Sequence, residues 1–145
     1  LAAAAIAMWP GAIGLRAVVA SQAAAIGDVG RATSELEWCI ADDLAHVPQD
    51  SGWLLACAFL ADAAARLRHA EALAVLTEAL APFDDRFATL AGPDISLGSI
   101  ASSLAGMAAA GGDSEAAAMW SRRGRALEAG FGDRRGLARC DREGC

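Results

Sequence analysis

The side chains that could perform chemistry in this sequence are two histidines, two pairs of adjacent aspartates and a group of serines. They are His46, His69, Asp42–Asp43, Asp84–Asp85, Ser99, Ser102 and Ser103. A serine nucleophile needs a general base within hydrogen-bond reach, and no histidine or nucleophile motif lies near these serines in the sequence. Neither histidine has partners at spacings that would complete a metal coordination shell. Adjacent aspartates on a helix point to different sides, so a solvated surface is the favoured interpretation.

We therefore predict that the protein is not an enzyme, with no catalytic residue, no metal ligand and no cofactor. The sequence lacks lysine, so it cannot form the Gly-Lys-Ser/Thr end of a nucleotide-binding P-loop. A formal net charge of −6 disfavours direct nucleic-acid binding, which needs cations to displace the counterions of the phosphates.

One cluster of cations stands out, and it consists of Arg122, Arg123 and Arg125. These arginines could form a basic patch for an acidic partner, a nucleotide phosphate or a nucleic acid. Since the cluster is small and the chain is acidic, a solvated helix face is the favoured interpretation.

The hydrophobic periodicity predicts six helices, because apolar residues recur at steps of three and four. The predicted helices cover residues 12–26, 29–47, 53–67, 70–81, 97–110 and 114–129. Ile26 and Val29 are expected on their buried stripes. Turns are predicted at Gly27-Asp28 and Gly112-Asp113, since glycine tolerates positive φ and aspartate caps the following helix. A further tight turn is predicted at Arg68-His69, between two helical segments.

The predicted fold class is all-α, an α-solenoid of about three antiparallel helical hairpins. Residues 1–132 are expected to form a single helical-repeat domain, a fragment of a longer chain, and residues 133–145 a polar tail. The stretch 82–96 is expected to be irregular, either a packed surface Ω-loop, which is favoured, or a functional loop.

Cysteine usage and the apolar first stretch bear on location. Cys39 and Cys57 fall among apolar helical positions and are expected in the core, whereas Cys140 and Cys145 lie in the charged tail. Arg16 and the Pro10-Gly11 break argue for a buried helix over a membrane segment in residues 1–26. We therefore expect a reduced, cytoplasmic protein without membrane contact.

Aligning the hairpins on their turns exposes an internal repeat of about 41 and then 44 residues. Small residues and a Gly-Asp corner recur in register, and this pattern resembles tetratricopeptide repeats. Ser121 and Gly124 depart from it, since larger residues and alanine are usual there. The four tryptophans are expected to fill wedges between hairpins, or alternatively to serve as binding hot spots.

A narrower resemblance covers about 42–132 and rests on Leu80-Ala81-Pro82-Phe83, Leu97-Gly98 and Gly112-Asp113 in that order. This region is similar to the C-terminal tetratricopeptide-like region of large bacterial multidomain regulators. These include ATP-binding LuxR-type transcriptional activators and cyclase-like proteins with an AAA-type ATPase. The resemblance implies that ATPase, DNA-binding or cyclase parts lie outside these residues.

The resemblance implies a non-catalytic sensor or protein-interaction segment of a bacterial signal-transduction or transcriptional regulator. The implied partner is another protein or the regulator's own upstream ATPase or output domain, with a small inducer as a further possibility. The alternatives are the non-catalytic tail of a nucleotide cyclase or ATPase-containing enzyme, and a stand-alone adaptor. Solenoids bind on their concave surface, and by analogy with tetratricopeptide arrays the candidate groove residues are Arg16, Gln22, Asp62, Arg66, Ser99 and Ser103.

Overall fold

The computed structural model describes residues 13–47, 49–89 and 96–131, and this part of the chain is mostly helical. Its helices are α1 (Ile13–Ala25), α2 (Val29–Leu44), α3 (Trp53–Leu67), α4 (Ala70–Leu80), α5 (Ile100–Gly111) and α6 (Ser114–Phe131). The six predicted helices are confirmed, and with them the helical class. The predicted tail 133–145, the first residues 1–12, Trp9, Cys140 and Cys145 lie outside the described residues.

The three predicted corners are confirmed, and they share one design. The residue that caps the following helix accepts a backbone N–H in each: Asp28 from Arg31 at 3.2 Å, His69 from Ala72 at 3.3 Å, and Asp113 from Ala116 at 2.9 Å. The residue before each cap lies in the left-handed region, with φ of 81° at Gly27, 51° at Arg68 and 84° at Gly112. Such a residue closes the preceding helix and reverses the chain within a few residues.

The first helices of the three hairpins pack against one another in sequence order. Helix α1 packs on α3, and α3 packs on α5, while α2, α4 and α6 each pack on the first helix of their own hairpin. Helix α2 also reaches α3 and α4, and α4 reaches α5. The hairpins are thereby joined through both of their layers.

The core runs continuously through the described hairpins. Its largest fully buried apolar residues are Leu36, Leu60, Leu76, Leu80, Ile100, Leu104 and Met107. Cys39 and Cys57 lie in the same core, as predicted. Ile26 and Val29 were expected to be buried, but they are 80% and 59% exposed, because both flank the first corner, where no described hairpin packs on them.

The sequence predicts an irregular loop over 82–96, but the structure places a strand at 87–89 and begins another at 96, while residues 90–95 lie outside the described residues. A 3₁₀ turn at Ala81–Phe83 leads into strand β1 (Phe87–Thr89), which pairs antiparallel with β2 (Ser96–Ser99). Helix α5 therefore starts at Ile100 and not at 97. The reason is local: Gly98 has φ of +96°, which no right-handed helix accommodates, and Ser99 caps the helix by accepting the N–H of Ser102.

Helix α2 also ends earlier than the predicted 47. Its right-handed backbone is already interrupted at Ala41, with ψ of 142°, and Asp42, Asp43 and Leu44 have φ values of 50–66°. Among the tryptophans, Trp53 is buried with its ring 5.3 Å from that of Phe83, and Trp120 packs partly buried against the core. Trp38 stays 36% exposed. Within the described ranges, no helix combines the length and the apolar character needed to cross a bilayer.

The left-handed corner at Gly112 generates a stability prediction. We expect Gly112→Ala to lower the free energy of unfolding by about 1 kcal/mol or more, since a Cβ disfavours φ of +84°. Urea unfolding followed by circular dichroism measures the change. Gly30→Ala is the matched control: Gly30 is helical and a Cβ there meets nothing within 4 Å, so this change should be neutral or stabilising by up to about 1 kcal/mol. Equal effects of the two changes would contradict the assigned corner.

Candidate binding cavity on the first-helix face

Four of the six predicted groove residues meet at one cavity. This cavity has a volume of about 450 Å³ and is bounded by α1, α3, α5 and the start of β2. Its wall includes Gln22, Asp62, Arg66 and Ser103, which belong to three different hairpins and are brought together by the stacking of the first helices. Its volume falls in the range of about 300–1,000 Å³ that is usual for small-molecule sites.

Asp62 is the polar centre of this cavity. Its carboxylate accepts a hydrogen bond of 2.7 Å from the buried Ser21 hydroxyl of α1, and bonds of 3.1 and 3.0 Å from Nε of Arg66. The Ser21 bond joins two hairpins, while the Arg66 pair lies within one helix at a spacing of four residues. These bonds hold a carboxylate and a guanidinium in a fixed arrangement at the cavity wall.

The rest of the cavity wall is a mixture of apolar groups and hydroxyls. Phe59 and Leu97 supply apolar surface, and Ser103 of α5 supplies a hydroxyl, whereas the hydroxyl of the neighbouring Ser102 is bonded to Glu128. A wall of this composition can bury an apolar group while it hydrogen-bonds and neutralises a polar one. The arrangement thus suits the recognition of a ligand that carries both kinds of group.

The prediction that Arg16 lines the groove is wrong. Its Nη1 bonds Glu35 Oε2 at 2.8 Å, and its guanidinium carbon lies 4.2 Å from the centre of the Trp38 ring. Arg16 therefore ties α1 to α2. The physical reason is helical geometry: six residues separate Arg16 from Gln22, which turns their side chains to different sides of α1.

The prediction that Ser99 lines the groove is also wrong, since Ser99 is 0% exposed. It belongs to a buried cluster centred on Glu128, which is 1% exposed. Glu128 Oε1 accepts three hydrogen bonds: from the Ser99 backbone N–H at 3.1 Å, from the Ser99 hydroxyl at 3.0 Å and from the Ser102 hydroxyl at 2.9 Å. A carboxylate from α6 thus completes the N-terminus of α5, where the helix dipole favours negative charge.

The buried position of Glu128 was not predicted from the sequence, although Gly124 indicates that α6 approaches α5 closely one turn before it. A Cβ at Gly124 would come within 2.6 Å of the Ser102 hydroxyl and 3.1 Å of the Ser99 hydroxyl. A glycine in the middle of a helix, one turn before a glutamate, therefore marks the close approach of α6 to the serines. The departure of Gly124 from the repeat pattern has this contact as its physical cause.

The three arginines of the predicted basic patch do not act together. Arg123 forms two bonds to Asp84, with Nε–Oδ2 at 2.7 Å and Nη2–Oδ1 at 2.8 Å, and so ties α6 to the end of the 3₁₀ turn. Asp84 was expected to be solvated, but its side chain is largely covered in this pair. Arg122 and Arg125, which are three residues apart on one face, line a second cavity on α5 and α6.

The two histidines lie where the sequence places them, at a corner and past a helix end. His69 caps α4 through Nδ1, and its Nε2 lies 3.4 Å from Glu37 Oε1. The ring of His46 stacks on Trp38 at 4.9 Å. In the part of the chain that the structure describes, no group of three or more histidine, cysteine or acidic residues is placed to hold a metal ion.

None of the known protein-family models, curated proteins or solved structures gives a significant match to this chain. The resemblance to bacterial multidomain regulators therefore stays a prediction.

The buried cluster generates a prediction about stability. Glu128→Ala would leave the Ser99 N–H and two hydroxyls without their acceptor, so we expect a loss of about 2–4 kcal/mol in the free energy of unfolding. Glu78→Ala removes an exposed glutamate from α4 and should change stability by no more than about 0.5 kcal/mol. Urea titrations of both variants measure the difference. A Glu128→Ala protein as stable as Glu78→Ala would show that the cluster contributes nothing.

The two core cysteines generate a prediction about reactivity. Burial raises the pKa of both the Cys39 and the Cys57 thiol from 9.0 to about 12. Because the thiolate is the reactive form, we expect neither to react with iodoacetamide at pH 8 in the folded chain, and both to react in urea. Mass spectrometry of the labelled peptides reports this.

The same raised pKa values set a direction for the pH dependence of stability. A pKa that is higher in the folded state means that folding favours the protonated thiol. This stabilisation is fully present below pH 9 and is lost as the pH rises toward 12. Rapid labelling of either peptide in the folded chain at pH 8 would contradict the assigned burial.

Proposed function

We propose that this chain is a non-catalytic binding module, an α-solenoid of three hairpins of the tetratricopeptide type. Its ligand occupies the cavity that is bounded by α1, α3, α5 and the start of β2. Two features support the solenoid: the cap and left-handed residue recur at every corner, and each first helix packs on the next. Surfaces built by stacked repeats are typically the binding surfaces of such proteins.

The single observation that carries the binding proposal is the meeting of Gln22, Asp62, Arg66 and Ser103 at one cavity. These side chains come from separate hairpins, so a ligand that contacts them all also bridges the hairpins. Binding would therefore stabilise one arrangement of the array over others. That is the property expected of a sensor or an adaptor.

The cavity suits a short segment of a protein partner that inserts a mixed polar and apolar side chain. A guanidinium and a carboxylate on the wall favour partner groups of either charge, and Phe59 and Leu97 favour an apolar stem. A small inducer is the second candidate, since the volume of about 450 Å³ lies within the usual range for small-molecule sites.

The resemblance supports a setting for this module, namely a cytoplasmic bacterial signal-transduction or transcriptional regulator. In that setting the partner is the regulator's own ATPase or output domain. The motif Leu80-Ala81-Pro82-Phe83 supports it, since these residues form the end of α4 and the 3₁₀ turn that leads to β1. Attachment to a cyclase, or an independent adaptor role, are the alternatives.

Backbone amide NMR of the ¹⁵N-labelled chain tests the binding proposal directly. The probes are a library of tripeptides and small polar metabolites, added in pools. We expect pools that bind to shift the amides around Gln22, Asp62 and Ser103. Ser103→Trp should fill the cavity and abolish these shifts, whereas Ala118→Trp, in the second cavity, should leave them intact. Binding that survives Ser103→Trp, or a library without a single binder, would contradict the proposal.

The Asp62–Arg66 pair allows binding to be separated from stability. Both side chains are partly exposed, so Arg66→Ala should lower stability by no more than about 1 kcal/mol. The same change should weaken the binding of any ligand found in the NMR screen by about tenfold, since it removes a charged contact. Arg86→Ala, which also breaks an exposed ion pair, is the control and should leave Kd unchanged. Equal Kd values for both variants would remove Arg66 from the site.

A further inference from the structure

The last hairpin presents a second and larger cavity, of about 660 Å³, on α5 and α6. Small residues of α5, including Ala105 and Ala109, form its floor, and Arg122 and Arg125 of α6 are among its lining residues. Among the described residues, no further hairpin packs on this surface.

The equivalent surface of the first hairpin is covered by the second hairpin. Ala20 and Ala24 precede the corner residue Asp28 by eight and four residues, as Ala105 and Ala109 precede Asp113. Ala20 and Ala105 are both buried, at 0% and 3% exposed, but Ala109 is exposed, whereas Ala24 packs partly buried against the core because α3 lies on α1. The α5–α6 cavity therefore has the composition and position of a surface on which another hairpin stacks.

The charge of Arg122 indicates which type of residue should lie at the corner of a hairpin stacked on α5–α6. Glu37 lies nine residues after Asp28, the corner residue of the first hairpin. Arg122 lies nine residues after Asp113, the corner residue of the third hairpin. Glu37 lies 3.4 Å from His69, which is the corner residue of the next hairpin. Arg122 is therefore placed to meet the corner residue of a hairpin stacked on α5–α6, and its positive charge favours an acidic residue there.

The first hairpin of the chain has such an acidic corner. Asp28 caps α2, and its neighbours Ile26 and Val29 are exposed apolar residues. Ile26 precedes Asp28 by two positions, as Leu67 precedes His69, and Leu67 packs partly buried against the core. Ile26 and Val29 are thus apolar residues of the kind found in interfaces, and no element among the described residues covers them.

We propose that copies of this chain associate head to tail, with the first hairpin of one copy seated on the α5–α6 cavity of the next. Arg122 then pairs with the partner's Asp28, and the apolar residues beside that corner cover the alanine floor. The contact is heterologous, joining two different surfaces, so each added copy leaves both kinds of surface free and the assembly can extend.

A charge-swap experiment on the full 145-residue chain tests the pairing, with sedimentation velocity over a concentration series at low salt. The wild-type chain should associate with rising concentration, and added salt should weaken the association. Arg122→Glu and Asp28→Arg should each lower the association constant about tenfold or more, because each places like charges opposite one another. An equimolar mixture of the two variants should associate again, since both mixed contacts pair opposite charges.

Two further variants keep the test interpretable. Arg86→Glu makes the same charge change at an exposed position on neither surface, and it should associate like the wild type. Asp28→Asn removes the charge but keeps a good helix cap, so it should weaken association even if Asp28→Arg fails to fold. A wild-type chain that stays monomeric, variants that associate like the wild type, or a mixture no more associated than its components would each overturn the proposal.

Discussion

Close packing between the first helices is the constraint on which the remaining structure depends. Ala17 and Ala20 of α1 and Ala61 and Ala63 of α3 are no more than 1% exposed, and all four belong to the continuous core. An alanine side chain ends at Cβ, so helices that meet through alanines can approach closely. Larger residues at these positions would force the helices apart, since protein interiors have no spare volume.

The polar contacts at and beside the candidate cavity depend on this spacing. The Ser21–Asp62 bond spans α1 and α3, and the Glu128 cluster fixes α6 on the start of α5. Ser102 connects the two regions, because it borders the candidate cavity while its buried hydroxyl donates to Glu128.

Features set by local chemistry could be predicted from the sequence, and features set by distant contacts could not. The two Gly-Asp corners were predictable because a glycine followed by a capping aspartate favours the end of one helix and the start of the next. Gln22, Asp62, Arg66 and Ser103 were chosen on the first helices by analogy with tetratricopeptide arrays, and all four line one cavity. Ser99 and Arg16 were misplaced, since their positions depend on Glu128 and Glu35 of neighbouring helices. The strand β2 was missed because its extended segment is short and continues an apolar helical pattern across Gly98.

The most direct test of close packing between the first helices is the stability of Ala20→Leu, measured by urea unfolding beside Ala74→Leu. Ala20 is a fully buried residue of α1, whereas Ala74 is exposed on α4. We expect Ala20→Leu to lower the free energy of unfolding by about 1–3 kcal/mol through overpacking, and Ala74→Leu to change it by no more than about 0.5 kcal/mol. An Ala20→Leu chain as stable as the wild type would show that the first helices are not closely packed.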